Sequence, residues 1–569
     1  MFSLEKLFSS HVILLILIVF LGFILRTYRL SEIPVGFHID EAQVGYNAYS
    51  ILKTGRDETG RFLSSHLKIW NFERPLGITY LSIPAIWIFG LSEFATRFDT
   101  AILGSLTIVL VFLLTQKVFQ YKGFSLLATL LFAISPWHII LSRATSDAVV
   151  SLFFFVLGTL FAWQALKKDS FLFLIFSYLG FVASFFSYFS TRITIPFLLI
   201  FFLLLATKER KRTAIGFLLL FIVYLAFPFF VFWRASTSRF NQVSLFQEQG
   251  TKLLLEEQIR EDGSNYPIIL TRLFHNKVLN FTLKISQNIA AYFSYDFLVL
   301  KGGLPIRYLV PNMGVLYFGE FPFFLWGIIY LFSRPAKKII IIKNQYFILL
   351  WIFLGTLSAS ITLEDTPNLQ RALFILPGFQ WLVSLGILDC WERLSTLRLK
   401  SAFITLVIIL ASWNLSYFLH QYSVHTLKNR PWYRFYEMKE LIAYLNSAKR
   451  KNKNIYLTFN STEPYIYFLF YNQTNPSAYQ KLIKEKGLEY VWNNIDNIKI
   501  IRRDCPIIGP QEREGILAIF KVNCKFPKGS HIVKTFAFSD GAVSQIAVDF
   551  PKGFSTIYGD LKYEEPTIE

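Results

Sequence analysis

Membrane-length apolar runs fill the chain from Ser10 to about Ala235 and from Met313 to about Leu419, and the short loops between them carry clustered lysines and arginines. A crossing segment needs about 20 mostly apolar residues and must satisfy its own backbone hydrogen bonds, because the bilayer core holds no water. The pattern therefore predicts an α-helical polytopic membrane protein. The composition agrees, with 53% hydrophobic residues and 61 phenylalanines in 569 residues.

The formal net charge of +19 would raise nucleic acid as a partner in a soluble domain. Here much of it lies at Lys167-Lys168, Lys208 to Arg212 and Arg334 to Lys343, between apolar runs. Basic short loops of that kind mark cytoplasmic connections, so the expected partner is the lipid bilayer and not nucleic acid. Met1 to Lys6 precede an apolar run that reaches Leu25 without a small-residue cleavage site, which reads as a retained signal anchor.

The basic loops also set the parity of the crossings. With the N-terminus inside, the first span covers about Val12 to Thr27, and the segment Tyr28 to Arg74 is external. Leu76 to Phe89 is short and contains Pro84, so it is read as interfacial or re-entrant, whereas Phe98 to Val118 crosses. Nine more spans follow, giving about eleven in all, the last at about Phe403 to Leu419. This parity places every strongly basic short loop inside. It also collects Asp40-Glu41, Ser142 to Asp147, Tyr188 to Arg192, residues 234–312 and Glu364 to Arg371 on the outer side.

The expected organisation is a membrane domain at 1–420, with external loops at 28–75 and 234–312, and an extracytoplasmic α/β domain at 421–569. The second assignment rests on helical patterns such as Tyr436 to Asn446 alternating with strand-like runs such as Ile455 to Phe459. Of three cysteines, Cys505 and Cys524 fall in that domain and can pair if it lies outside the cytoplasm.

Ionisable groups at helix ends facing a shared cavity are functional candidates. Asp40, in F-H-I-D-E-A, suits a general base that accepts a proton from an attacking hydroxyl or amine; the same residue also suits a helix N-cap. Glu73-Arg74-Pro75 puts a guanidinium at the headgroup level, either gripping a lipid phosphate or snorkelling as an anchor. Arg143, with Asp147 four residues on, reads as a phosphate cation or a helix-end ion pair. His138 reads as a site residue or as a core imidazole satisfying a neighbour. Tyr188 and Arg192, and Asp365 with Arg371, offer further hydroxyl and charged groups on external hairpins, or plain turns and caps. Several external arginines near one carboxylate pair favour an anionic, lipid-linked substrate. No P-loop, G-x-G-x-x-G or D-x-D pattern is present, so no nucleotide or D-x-D metal site is signalled. Cofactor independence is expected, with a divalent cation left open.

The order of D-E near the start of a long external loop, F-E-R-P-L at its end and then G-L-S-E-F-A-T-R-F resembles the C-type (GT-C) glycosyltransferases that use polyprenyl-phosphate sugars. It is most similar to protein O-mannosyltransferases, lipid A aminoarabinose transferases and bacterial glycosyltransferase 39 proteins. The resemblance implies Asp40 as catalytic base with Glu41 beside it, Glu73-Arg74 at the donor phosphate, and Arg97, in a segment commonly reading R-L-P-S-A and here Arg97-Phe98-Asp99-Thr100-Ala101, among the residues that bind donor phosphate or substrate. The oligosaccharyltransferase signature W-W-D-Y-G is missing. The expected activity is inverting transfer of one sugar from a polyprenyl phosphate to a protein, lipid or glycan acceptor on the outer face. The alternative is a transporter or flippase of lipid-linked glycans, which would favour internal symmetry and charges in mid-span.

Overall fold

The computed structural model describes residues 10–62, 66–69, 72–226, 249–263, 266–333, 343–362, 365–449, 454–459, 464–505, 516–526 and 529–550, with backbone alone at 10, 66–69, 72–74, 208–209, 249–251 and 449. Two compact units result: residues 1–28, 65–78 and 100–422 form the first, and 29–64, 79–99 and 423–569 the second.

The first unit is a helical bundle. Four helices, Glu93–Phe119, Asp147–Lys168, Leu373–Glu392 and Leu397–Lys428, are long and apolar enough to cross a membrane. Lys122–Ile134 and Pro136–Ser142 join them as a fifth span if the 53° bend between the two is counted within one crossing. Pro136 explains the break, since it supplies no amide to the helix before it. The count of eleven expected from hydropathy is therefore not reached among the described residues. Several expected spans are shorter apolar helices, such as Phe171–Ser187 and Phe347–Ser360, of 17 and 14 residues. The expected span at 215–233 runs past residue 226 into residues outside the described set. Gly77–Phe89, which falls in the second unit from Thr79 onward, is a 13-residue helix containing Pro84, too short to cross.

Bundle packing uses small residues. A Cβ on Gly327 would lie 2.0 Å from the carbonyl oxygen of Leu382, and one on Gly386 2.0 Å from that of Phe323. Helices Phe321–Phe332 and Gly378–Glu392 thus touch backbone to backbone at both places, the close approach that glycine permits in apolar surroundings. Trp381 and Trp351, both buried, pack with ring centres 5.4 Å apart, and Trp381 Nε1 donates to Thr115 Oγ1 at 2.9 Å.

The second unit contains a six-stranded mixed sheet. Its central strand Asn454–Thr458 pairs in parallel with Ile498–Ile501 on one side and Ile516–Lys521 on the other. Antiparallel strands complete it, Asn494–Ile495 at one edge and Val543–Phe550 then His531–Ala537 at the other. Central strand Asn454–Thr458 is buried from Ile455 onward, as parallel strands covered on both faces require. Helices Met438–Lys449 and Tyr465–Tyr471 contribute the apolar side chains of its main core. Cys505 and Cys524 are joined by a disulfide.

Candidate active site

Asp40 and Glu41 open helix Ile39–Thr54 in the second unit, and their surroundings separate them. The N-cap is His38, not Asp40: His38 Nδ1 accepts from the Asp40 amide at 3.2 Å, and the Glu41 carboxylate accepts from the His38 amide at 3.1 Å. This reciprocal capping box satisfies two of the amides left over at the helix start. The Asp40 side chain remains 26% exposed, with Oδ2 3.5 Å from His38 Nδ1.

Glu41 is buried and faces Arg97, which is 0% exposed. Arg97 Nε and Nη2 donate to the two carboxylate oxygens at 2.8 and 2.9 Å. The remaining Arg97 donors reach the carbonyls of Leu30 and Pro34 at 3.2 and 3.0 Å, and of Gly36 at 2.5 Å. A guanidinium has five N–H groups, and all five are engaged by one loop and the carboxylate that follows it. Burial alone would raise the Glu41 pKa; the charge and hydrogen bonds of Arg97 outweigh it and hold the carboxyl below its ordinary value. The sequence places Arg97 at the donor phosphate. Here its donors are taken up by protein groups.

Gly36 completes the loop. Its φ is +77°, and a Cβ there would sit 1.8 Å from the carbonyl oxygen of Arg434, so both conformation and space call for glycine. Residues not singled out from the sequence also surround this loop. Phe435 packs edge-on to His38 at 5.4 Å, and Tyr467 donates to the Phe37 carbonyl at 2.8 Å. Burial raises the Tyr467 hydroxyl, and Tyr471, Glu41, Glu437 and Asp40 add to the shift, which places Glu437 in the same electrostatic neighbourhood as Asp40. Buried Glu437 accepts from Ser544 Oγ at 3.1 Å, and burial raises its pKa. The aromatic and charged run P-W-Y-R-F-Y-E beyond the last apolar span is a sequence signal for Phe435 and Glu437; Tyr467 has none.

The first unit holds a second polar group. Arg371 Nη1 donates to Thr362 Oγ1 at 3.0 Å, while its amide donates to Asn368 Oδ1 at 2.9 Å. Burial raises the Tyr188 hydroxyl; Arg371 opposes this, and Asp147, Tyr308 and Tyr292 reinforce it, so Tyr188 and Arg371 share one neighbourhood. Gln370 Nε2 links Tyr308 Oη and Ser146 Oγ at 3.1 and 3.3 Å. Tyr292, Tyr308 and Gln370 carry no motif and are not legible in the sequence. Asp365 is exposed, with φ +55°, and Glu364 lies outside the described residues.

The other candidates are held by structural contacts. His138 is buried, with Nδ1 2.9 Å from Arg26 Nη2 and 3.1 Å from Ser142 Oγ, a core imidazole on a bent helix. Arg143 donates to the carbonyls of Leu25 and Tyr28 at 2.8 and 2.6 Å. The Arg192 guanidinium stacks over Phe185 and Phe189 at 4.4 and 4.1 Å. Glu73 and Arg74 lie on strand Phe72–Pro75, paired antiparallel with His66–Ile69 so that Glu73 faces Lys68 and Arg74 faces Leu67 in register. Their side chains are outside the described set. Among the described residues no group of three or more His, Cys, Asp or Glu is placed to hold a metal ion.

Residues 73–233 match the family model of the dolichyl-phosphate-mannose-protein mannosyltransferases. No curated protein matches the chain at a significant level. Among solved structures, the archaeal oligosaccharyltransferase AglB from Archaeoglobus fulgidus, in complex with an inhibitory peptide and a dolichol-phosphate, is similar over 91% of this chain and 70% of its own, with a TM-score of 0.50 at 13% identity. ArnT from Cupriavidus metallidurans, bound to undecaprenyl phosphate, is similar over 95% of this chain and 97% of its own, with a TM-score of 0.48 at 9% identity. The chain thus has a family match over residues 73–233 and a fold similar to that of AglB.

Proposed function

We propose that this chain is a C-type membrane glycosyltransferase that moves a single sugar from a polyprenyl-phosphate donor to an acceptor on the extracytoplasmic face, with inversion and with Asp40 as general base. The observation that carries the assignment to Asp40 is the division of work at the start of helix Ile39–Thr54. Glu41 caps the helix and binds Arg97, whereas the Asp40 carboxylate stays partly exposed beside them. A base must reach the proton that it takes, and of the two carboxylates only Asp40 is accessible to an incoming acceptor.

In the proposed step the acceptor hydroxyl or amine attacks the anomeric carbon while Asp40 takes its proton. The bond from that carbon to the phosphate oxygen breaks, and polyprenyl phosphate leaves with the electron pair. Phosphate is a competent leaving group, so no general acid is required. Arg97 and Glu41 act as positioning residues that fix the loop and the helix start carrying Asp40. The parity of the basic loops supports Arg371, together with Arg74, as cations offsetting charge on the departing phosphate. It also supports an extracytoplasmic setting, as does the Cys505–Cys524 bond, since disulfides persist in oxidising compartments.

The test uses purified protein in proteoliposomes with radiolabelled polyprenyl-phosphate hexoses and a panel of protein, lipid and glycan acceptors. Label leaving the lipid for one acceptor, with the opposite anomeric configuration in the product, supports the reading. Intact donor crossing between leaflets without release of sugar contradicts it.

A further inference from the structure

The segment 266–293 of the first unit is patterned inside out. Its two helices, Ile268–Phe274 and Lys277–Tyr292, bury polar residues: Thr271 on the first, and Asn280, Asn288 and Tyr292 on the second. Those polar groups are used for anchoring. Asn288 Nδ2 donates to the carbonyls of Ser360 and Thr362 at 2.8 and 3.2 Å, and the Tyr292 hydroxyl accepts from the Asn368 amide at 3.0 Å. The opposite surface is open and largely apolar: Ile269 is 78% and Val278 75% exposed, Ile268, Leu273, Phe274 and Leu283 are exposed with them, and Thr282, Ser286 and Gln287 interrupt the apolar residues of the second helix.

A water-facing helix shows the reverse arrangement, polar out and apolar in. Leaving several large aliphatic and aromatic side chains on consecutive turns in contact with water is unfavourable relative to burying them. An environment that removes this cost is hydrocarbon. The segment is also fixed where such an environment begins. Asn288 binds the C-terminal end of the apolar helix Phe347–Ser360, and Phe293 packs on Phe379, in the first turns of the membrane-length helix Leu373–Glu392, with ring centres 6.0 Å apart. Both contacts are at ends of bundle helices, so the segment is fixed where those apolar helices stop. Lys277, Lys284 and Arg272, all exposed, supply the cations that interfacial helices direct at headgroups.

We infer that residues 266–293 form an interfacial membrane-binding element, whose Ile268–Phe274 and Val278–Leu283 surfaces insert into the headgroup and acyl boundary of one leaflet. The inference concerns the lipid surface alone and stands whether or not Asp40 is the base. The occupant is phospholipid, not a protein partner, because the apolar side chains are held at the ends of membrane-directed apolar helices and are bordered by exposed cations.

The test attaches an environment-sensitive fluorophore at Ile269→Cys, Val278→Cys or, as a water-facing control, Lys252→Cys, in a Cys390→Ala background in which Cys505 and Cys524 remain joined. Each protein is reconstituted in liposomes of neutral and anionic phospholipid. Insertion to about 5–10 Å below the surface predicts that the probes at 269 and 278 are quenched by a nitroxide at a shallow acyl position and protected from iodide, while the probe at 252 responds oppositely. Iodide quenching at 269 and 278 equal to that at 252 overturns the inference. Protection from iodide without quenching by the lipid nitroxide also overturns it, and assigns the surface to a second protein copy or another protein.

Discussion

Arg97 grips both oxygens of Glu41, at 2.8 and 2.9 Å, and with its other donors binds three carbonyls of the loop between Leu30 and Gly36. One buried side chain thereby ties a loop, a helix start and the neighbouring Asp40 into a single piece. Pairing is what makes burial of two such charges tolerable, and removal of one partner leaves the other unpaired in a low-dielectric site.

Arg97→Lys keeps the charge but cannot form the bidentate fork or reach three carbonyls together. Breaking a buried pair costs about 3–5 kcal/mol, and a lysine that retains part of it falls toward the lower end. Thermal unfolding of the purified protein in detergent is expected to show a clear drop in Tm, with sugar transfer lost in parallel because Asp40 is no longer held.

The Glu41 carboxyl is held below its ordinary value, so its contribution to stability has a defined pH range. An unfolded glutamate titrates at about 4.3. The contribution is complete above that pH and is lost as pH falls through the lower folded value. Measured against pH, the Tm difference between wild type and Glu41→Gln is expected to be constant near neutrality and to shrink only below about pH 4.3. A gap that closes between pH 6 and 7 contradicts the depressed pKa.

Gly36→Ala adds a methyl where the Arg434 carbonyl oxygen lies 1.8 Å from the Cβ position, at a φ of +77°. The loop must shift, at a cost of more than about 1 kcal/mol. Reduced Tm with reduced transfer is expected, whereas Gly55→Ala, at positive φ but with only Phe62 near the Cβ position, should lower Tm less and leave transfer largely intact.

Arg371 shares its neighbourhood with Tyr188 and Asp147, and is proposed as a cation for the donor phosphate. A hydrogen bond to a charged group contributes about 1.5–3 kcal/mol. Arg371→Gln is therefore expected to raise KM for the lipid-linked donor about tenfold or more, with KM for the acceptor unchanged. An equal rise in both constants points to a structural effect.

Helical architecture, the carboxylate pair and the C-terminal sheet domain were legible because each rests on local pattern: apolar run length, a D-E pair at the start of an amphipathic stretch, and strand-like runs such as Ile455 to Phe459. The count of about eleven spans rests on run length alone; among the described residues four helices, or five with the bent pair at Ser135-Pro136, are long and apolar enough to cross, and several expected spans are shorter apolar helices. For Asp40 the sequence leaves both a general base and an N-cap open, and residue preference does not point to His38, which caps through Nδ1. Arg97 was placed at a phosphate because nothing near it in sequence reveals partners 56 to 67 residues upstream. Tyr467 and Glu437 lie about 400 residues from Asp40 in the chain, and only the tertiary fold brings them into its electrostatic reach.

The central claim is that two adjacent carboxylates do different work, and paired measurement of activity and stability on Asp40→Asn and Glu41→Gln tests it most directly. Asp40→Asn is expected to abolish sugar transfer, by at least the factor of about 100 to 10,000 that a general base contributes, with Tm unchanged. Glu41→Gln is expected to lower Tm. Full transfer by folded Asp40→Asn, or loss of stability with Asp40→Asn rather than with Glu41→Gln, contradicts the account.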